Sequence, residues 1–181
     1  MKEKIKRTIR ATGKEIVRKP RFDAAEHIWT IIGAFAGIGI IGWIQSTQFG
    51  QQDNIFLIGS FGASAVLVFG APHSPLAQPR NLIGGHLISA IVGVCIHLLI
   101  PDNYWVAAAV AVSLAIVGMQ MTHTMHPPGG ATALIANIGS EKIKNLGFGY
   151  ILSPVMSGVF ILLIIALLVN NLPKGRTYPS K

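Results

Sequence analysis

The sequence predicts an all-α membrane protein, a polytopic bundle of transmembrane helices. Half of its 181 residues are apolar and only 12% are charged, about half the usual charged share. Several apolar runs reach 17 residues or more, which is long enough to cross a bilayer as a helix. Nine of the fifteen Lys and Arg residues precede the first of these runs. This bias indicates a flank held in the cytoplasm at the cell (inner) membrane, rather than a surface that binds nucleic acid.

Residues 1–27 form the predicted basic cytoplasmic segment. Basic residues alternate there with Ile5, Ile9, Ile16 and Val17, a spacing typical of an amphipathic helix that lies on anionic lipid. A basic, partly disordered tail is the alternative. No compact apolar core follows the charges, so a signal peptide is not predicted.

Six segments are predicted within a membrane domain of residues 28–170. Five are plain apolar runs and one is short and broken; the predicted segments are 28–44, 55–71, 82–100, 105–121, 127–139 and 147–169. Pro154 predicts a kink in the last segment. Charged loops place both the N-terminus and the basic tail 171–181 inside, and this requires an even number of crossings. Segment 127–139 must then cross; a re-entrant hairpin is the alternative.

The stretch His123–Gly139 is the most informative part of the chain. Its prolines and glycines, Pro127, Pro128, Gly129 and Gly130, predict a loop followed by the N-terminus of a short helix. Broken backbone at membrane depth is tolerated only where protein or a water-filled cavity covers it. We therefore expect this stretch to line the working site. N–H groups without helical acceptors, together with the helix dipole, favour an anion there.

Two parts of the chain resemble each other, which predicts an internal repeat. Residues 62–67 match residues 130–135, and residues 81–89 match residues 145–153. Three segments in each half would make the second half inverted relative to the first, an arrangement in which broken helices form the site at the repeat interface. Chance similarity between helices rich in small residues is the alternative.

The candidate site residues follow from the repeat and from the absence of carboxylates. All seven acids fall outside the apolar runs, whereas cation and proton pumps usually keep acids within them. The predicted substrate-binding set is His126, Gly129, Gly130, Ala131, Thr132, Gly62, Ala63, Ser64 and Arg80. His126 could instead cap the preceding helix, and Arg80 could be only a topology anchor.

Three further histidines are the predicted candidates for a proton relay, namely His86, His97 and His123. His86 and His97 lie eleven residues apart and so share a helix face. Histidines bonded to the backbone of the core are the alternative. No metal site is predicted, because no carboxylate or thiol complements His123 and His126. No catalytic set and no cofactor is predicted either. The single cysteine, Cys95, is expected to pack. The chain is not predicted to be an enzyme.

Two blocks of sequence resemble the HPP family of integral membrane proteins. Residues 126–134, His-Pro-Pro-Gly-Gly-Ala-Thr-Ala-Leu, are similar to the motif that defines the family. Residues 61–65 and 74–81 are similar to its other characteristic block. The resemblance covers about residues 21–170. It implies four or five membrane segments, fewer than the six predicted above, and some members are implicated in nitrite transport.

The resemblance and the residues converge on one expectation for function. We expect membrane transport of a small inorganic anion, nitrite before others, through a site formed by broken-helix N-termini. A chain this small is expected to form a homo-oligomer in membrane lipid. A non-transporting membrane assembly or regulatory subunit is the alternative.

Overall fold

The structure, a computed structural model, describes residues 23–49 and 58–180. The predicted amphipathic segment therefore lies almost wholly outside the described residues. Regular structure in the described ranges is helical, without strands, which confirms the predicted all-α class. The helices are α1 (Ala24–Ile44), α2 (Gly59–Gly70), α3 (Pro79–Leu99), α4 (Tyr104–Met121), α5 (Pro128–Ile138), α6 (Glu141–Lys144) and α7 (Ser157–Val169). A 3₁₀ turn spans Pro75–Ala77 and a π-helical turn spans Gln45–Phe49. The segment Ile151–Met156 contains a kink at Ser153, which is extended (φ −141°, ψ 124°).

The described helices fall into long and short classes. Four are long and apolar enough to cross a membrane, Ala24–Thr47, Pro79–Leu99, Tyr104–Met121 and Ile151–Val169. The short helices α2 and α5 have 12 and 11 residues, so they extend about 18 and 16 Å. Helix α2 is shorter than the predicted segment 55–71 mainly because it begins only at Gly59, after Ile58 in an extended conformation (φ −82°, ψ 145°). The two short helices are the segments that the predicted repeat pairs; the repeat itself stays a prediction.

Contacts between distant residues place both ends of the described chain at the same end of the bundle. Arg176 lies 3.6 Å from Glu26 at the start of α1, and its guanidinium donates to the carbonyl of Phe69 at the end of α2 (3.4 Å). Helix α5 leads away from this end, because Asn137 donates to the Gly93 carbonyl, well along α3 (3.2 Å). Within the described ranges, six segments thus run along the bundle, the last through the kink at Ser153 (φ −141°) and α7; that all six cross the membrane stays a prediction.

Two phenylalanines of α2 fit into spaces left by glycines on the neighbouring long helices. A Cβ atom on Gly33 or Gly37 of α1 would lie 2.4 or 3.1 Å from the ring of Phe69. A Cβ atom on Gly158 of α7 would lie 2.2 Å from the ring of Phe61. Both rings are fully buried. These contacts hold the short helix α2 between α1 and α7.

We expect Gly33→Ala to destabilise the protein and Gly39→Ala to leave its stability almost unchanged. Both glycines lie in α1, but the new methyl at position 39 meets nothing within 4 Å, whereas the one at position 33 displaces Phe69. Overpacking of this kind costs about 1–3 kcal/mol. Thermal unfolding of the two purified variants in detergent measures the difference. Equal melting temperatures would show that α1 and α2 do not pack as described.

The C-terminal residues pack against the bundle, although the sequence predicted only a basic tail. Tyr178 is 2% exposed, and its hydroxyl donates to the Ala77 carbonyl in the 3₁₀ turn (2.8 Å). The backbone N–H of Ser180 donates to the side-chain oxygen of Gln78 (2.8 Å). Burial raises the pKa of the Tyr178 phenol, so the hydroxyl keeps the proton that it donates. These contacts fix the turn that contains Leu76.

Candidate functional site

Four buried polar side chains meet in the middle of the bundle. Ser64 Oγ lies 2.8 Å from His86 Nε2 and 2.9 Å from His126 Nε2. The other ring nitrogen of His86, Nδ1, lies 2.7 Å from the hydroxyl of Thr132. All four side chains are 0% exposed, and the two rings lie 5.0 Å apart between centroids. We call Thr132, His86, Ser64 and His126 the histidine cluster.

The cluster brings together α2, α3, α5 and the loop before α5. Close packing of α3 on that loop fixes His126: a Cβ atom on Gly85 would lie 2.4 Å from His126 Cβ and 3.0 Å from the Thr124 carbonyl oxygen. Polar side chains in the first turn of α3 hold the same loop. Arg80 donates to the Thr122 carbonyl (3.0 Å) and Asn81 to the Met125 carbonyl (2.7 Å).

The Leu76 carbonyl fixes the direction of the hydrogen bonds when both histidines are neutral. His126 Nδ1 lies 2.8 Å from this oxygen, which can only accept, so Nδ1 carries the proton and Nε2 accepts from Ser64. Ser64 Oγ then accepts from His86 Nε2, and His86 Nδ1 accepts from the Thr132 hydroxyl. The neutral cluster therefore has one consistent direction, from Thr132 to Leu76.

No carboxylate of the described residues faces the cluster. The Phe61 ring lies 5.9 Å from the His86 ring, and the Tyr150 hydroxyl donates to the Thr132 carbonyl (3.0 Å). The acids within the described ranges lie at helix starts or in loops at the ends of the bundle, namely Asp23, Glu26, Asp102 and Glu141. A positive charge on the cluster would thus lack a carboxylate partner.

The predicted free N–H groups after Pro128 are paired, which corrects the sequence interpretation of the broken segment. The Gly129 N–H donates to the His126 carbonyl (2.8 Å) and the Gly130 N–H to the Pro127 carbonyl (3.0 Å). Tight i→i−3 bonds thus satisfy donors that an α-helix would leave open at its start. Gly129 is a packing residue, because a Cβ atom there would lie 2.7 Å from Ser89 Oγ.

The other predicted site residues are dispersed around the cluster. Gly62 and Ala63 are exposed on the face of α2 that points away from Ser64. Gly130 and Ala131 are half-buried on α5, and Arg80 is exposed beside the loop before it. Of the three relay candidates, His86 meets His126 instead of His97 or His123. His97 is half-buried further along α3, and His123 is exposed with φ 55°.

Sequence reasoning missed two buried polar residues near the cluster, Ser60 and Asn137. Ser60 Oγ and Asn137 Oδ1 are buried without a hydrogen-bond partner in the part of the chain described. Ser60 lies one helical turn before Ser64, and this i, i+4 spacing was the available signal. Asn137 had no repeat partner to draw attention to it. Among the described residues, no group of three or more His, Cys, Asp or Glu residues could hold a metal ion.

This fold and cluster define a multi-pass helical membrane protein whose buried centre is histidine and hydroxyl rather than carboxylate. The transmembrane region of the HPP family matches residues 19–179; the chain belongs to this family. Two transmembrane proteins of Dictyostelium discoideum are similar, at 48% identity over 93% of this chain and 50% over 88%. The chain spans only 59% and 52% of their lengths. No solved structure matches the chain.

Proposed function

We propose that the protein transports a small monovalent inorganic anion across the membrane, with nitrite as the expected substrate. The main support for this proposal is the histidine cluster, which is fully buried and which no described carboxylate faces. A buried charge is costly unless it is paired. When His126 becomes positively charged, an anion that enters from outside is the partner that the described residues do not supply.

The inner approach to the cluster is cationic in this proposal. Arg80 is exposed and held at the Thr122 carbonyl, next to the loop that carries the exposed His123 and leads to His126. The positive charge of Arg80 raises the local concentration of anions beside this loop. His126 then acts as the charge partner, the hydroxyls of Ser64 and Thr132 as neutral contacts, and the backbone of Gly130 and Ala131 as the adjoining wall.

Homo-oligomerisation belongs to the same proposal. Helices α2 and α5 extend only about 18 and 16 Å, against a hydrocarbon core of about 30 Å. Neither can by itself shield a polar pathway from lipid across the whole membrane. A second copy of the chain beside the short helices would shield the rest of the polar pathway from lipid.

Transport is tested by reconstituting the full chain into liposomes and measuring uptake of nitrite, nitrate and chloride. We expect nitrite uptake above that of liposomes without protein, and we expect His126→Leu to reduce it to that background. Leucine fills a similar space but cannot carry charge. Size-exclusion profiles and melting temperatures show whether the variant is folded. Absence of flux for all three anions would contradict transport and favour a non-transporting membrane subunit.

A further inference from the structure

We propose that the histidine cluster is a proton relay that charges His126 and so couples anion transport to protons. This inference rests on the proposed transport function and adds the proton movement that drives the transport. It starts from the continuity of the hydrogen bonds. From Thr132 to Leu76, each donor–acceptor distance is between 2.7 and 2.9 Å, so no gap interrupts the line.

The relay works without movement of the ring atoms. The Thr132 hydroxyl proton passes to His86 Nδ1 while Thr132 Oγ gains a new proton. His86 gives its Nε2 proton to Ser64, and Ser64 gives its hydroxyl proton to His126 Nε2. One proton has entered, every oxygen has kept its valence, and His86 is again neutral. His126 now carries protons on both nitrogens, and its Nδ1 still donates to the Leu76 carbonyl.

The charged arrangement also satisfies every hydrogen bond of the cluster, in the reverse direction. His126 Nε2 now donates to Ser64, Ser64 to His86 Nε2, and His86 Nδ1 to Thr132 Oγ. The same heavy-atom positions thus fit the cluster with and without the added proton. The two states differ by one positive charge on His126, which an anion must balance. Proton arrival and anion binding are therefore linked.

Two buried oxygens without partners in the described ranges lie further along α2 and α5 than the cluster does. Ser60 precedes Ser64 by four residues on α2, and Asn137 follows Thr132 by five on α5, which correspond to about 6 and 7.5 Å along each axis. Both displacements point away from the end that holds the tail. Ser60 Oγ and Asn137 Oδ1 have no partner among the described residues, although buried polar groups are nearly always bonded. They mark the side from which a proton reaches Thr132.

A lasting charge is better placed on His126 than on His86, because His126 Nδ1 donates to the Leu76 carbonyl (2.8 Å) and no facing group of the described residues offers His86 a similar acceptor. Tyr150 presents a hydroxyl that already donates to the Thr132 carbonyl, and α2 presents the Phe61 ring. Arg80 is the described cation nearest in sequence to His86, and its guanidinium lies at Thr122 in the loop before His126. Helix α4 presents Met119, which touches Ser89 rather than a cluster residue. No described carboxylate faces either histidine.

The test uses the full chain in liposomes with the membrane potential clamped by potassium and valinomycin. A trapped pH dye and the anion content are followed together, with nitrate and nitrite as probes and an acidic external buffer. We expect proton entry to accompany anion entry. In Ser64→Ala and Thr132→Val, the acceleration of uptake by external acid should fall about a hundredfold. This factor is the lower end of the rate increase that a positioned proton-transfer group usually provides. Thr132→Val keeps the side-chain shape if Ser64→Ala proves unstable.

Ser89→Ala is the matched control, because this buried serine of α3 makes only a 3.8 Å contact with the Met119 sulfur. It should keep the acceleration by acid. Anion flux without proton entry in the wild-type protein would overturn the relay and leave transport standing. Absence of anion flux would overturn both proposals. Unchanged acid acceleration in folded Ser64→Ala and Thr132→Val, or equal loss in Ser89→Ala, would also overturn the relay.

Discussion

Replacing Gly129 with alanine is expected to destabilise the protein strongly, whereas alanine at the neighbouring Gly130 is expected to be tolerated in the fold. A Cβ atom at position 129 would lie 2.7 Å from Ser89 Oγ and 2.9 Å from the Gly85 carbonyl oxygen. The carbonyl is backbone and cannot swing away, so α5 would have to separate from α3. At position 130 the nearest atom is 3.9 Å away, which is ordinary contact.

The expected cost for Gly129→Ala is about 1–3 kcal/mol or more, since overpacking in a tight helix contact falls in this range. Gly130→Ala should be neutral or slightly stabilising, because alanine favours a helix over glycine by up to about 1 kcal/mol. Thermal unfolding of both variants in the same detergent measures the contrast. If the two variants melt at the same temperature, the close packing of α5 on α3 is wrong.

The sequence was sufficient to predict the helical class. Long apolar runs, flanking charges and the Pro-Gly break act locally, and each leaves a direct pattern in the chain. The start of α2 was harder to predict, because the apolar run begins at Ile55 whereas Ile58 is extended and the helix begins at Gly59. The packed tail was also missed, since Tyr178 is held by Ala77, which lies 101 residues away.

The site could be predicted only in part because hydrogen bonds between distant residues decide it. The repeat paired Ser64 with Thr132, and both hydroxyls do bond to His86. The choice of His126 rather than His97 as the neighbour of His86 depends on the close approach at Gly85. Helical spacing along α3 carries no such information. The pairing of the Gly129 N–H group likewise depends on the local turn, which the motif alone does not specify.

Replacing His86 with leucine is expected to cause loss of both stability and transport, in contrast to the same change at His97. His86 is the only link between the hydroxyls of Ser64 and Thr132 in the described cluster. Leucine would leave buried hydroxyls short of a partner, at a cost of about 1–3 kcal/mol for each unsatisfied group. It would also interrupt the proposed relay at its centre, so His126 could no longer be charged from the Thr132 side.

His97→Leu is the control because it places the same substitution on the same helix, eleven residues further along. His97 is half-buried towards the opposite end of α3. We expect this variant to keep nearly the wild-type melting temperature and anion uptake. Comparable loss of uptake in both folded variants would show that His97 takes part in the proton relay, as the eleven-residue spacing of His86 and His97 predicts. Loss in His86→Leu alone would instead support a pathway that turns from α3 to His126, because the geometry offers no second connection between Thr132 and Ser64.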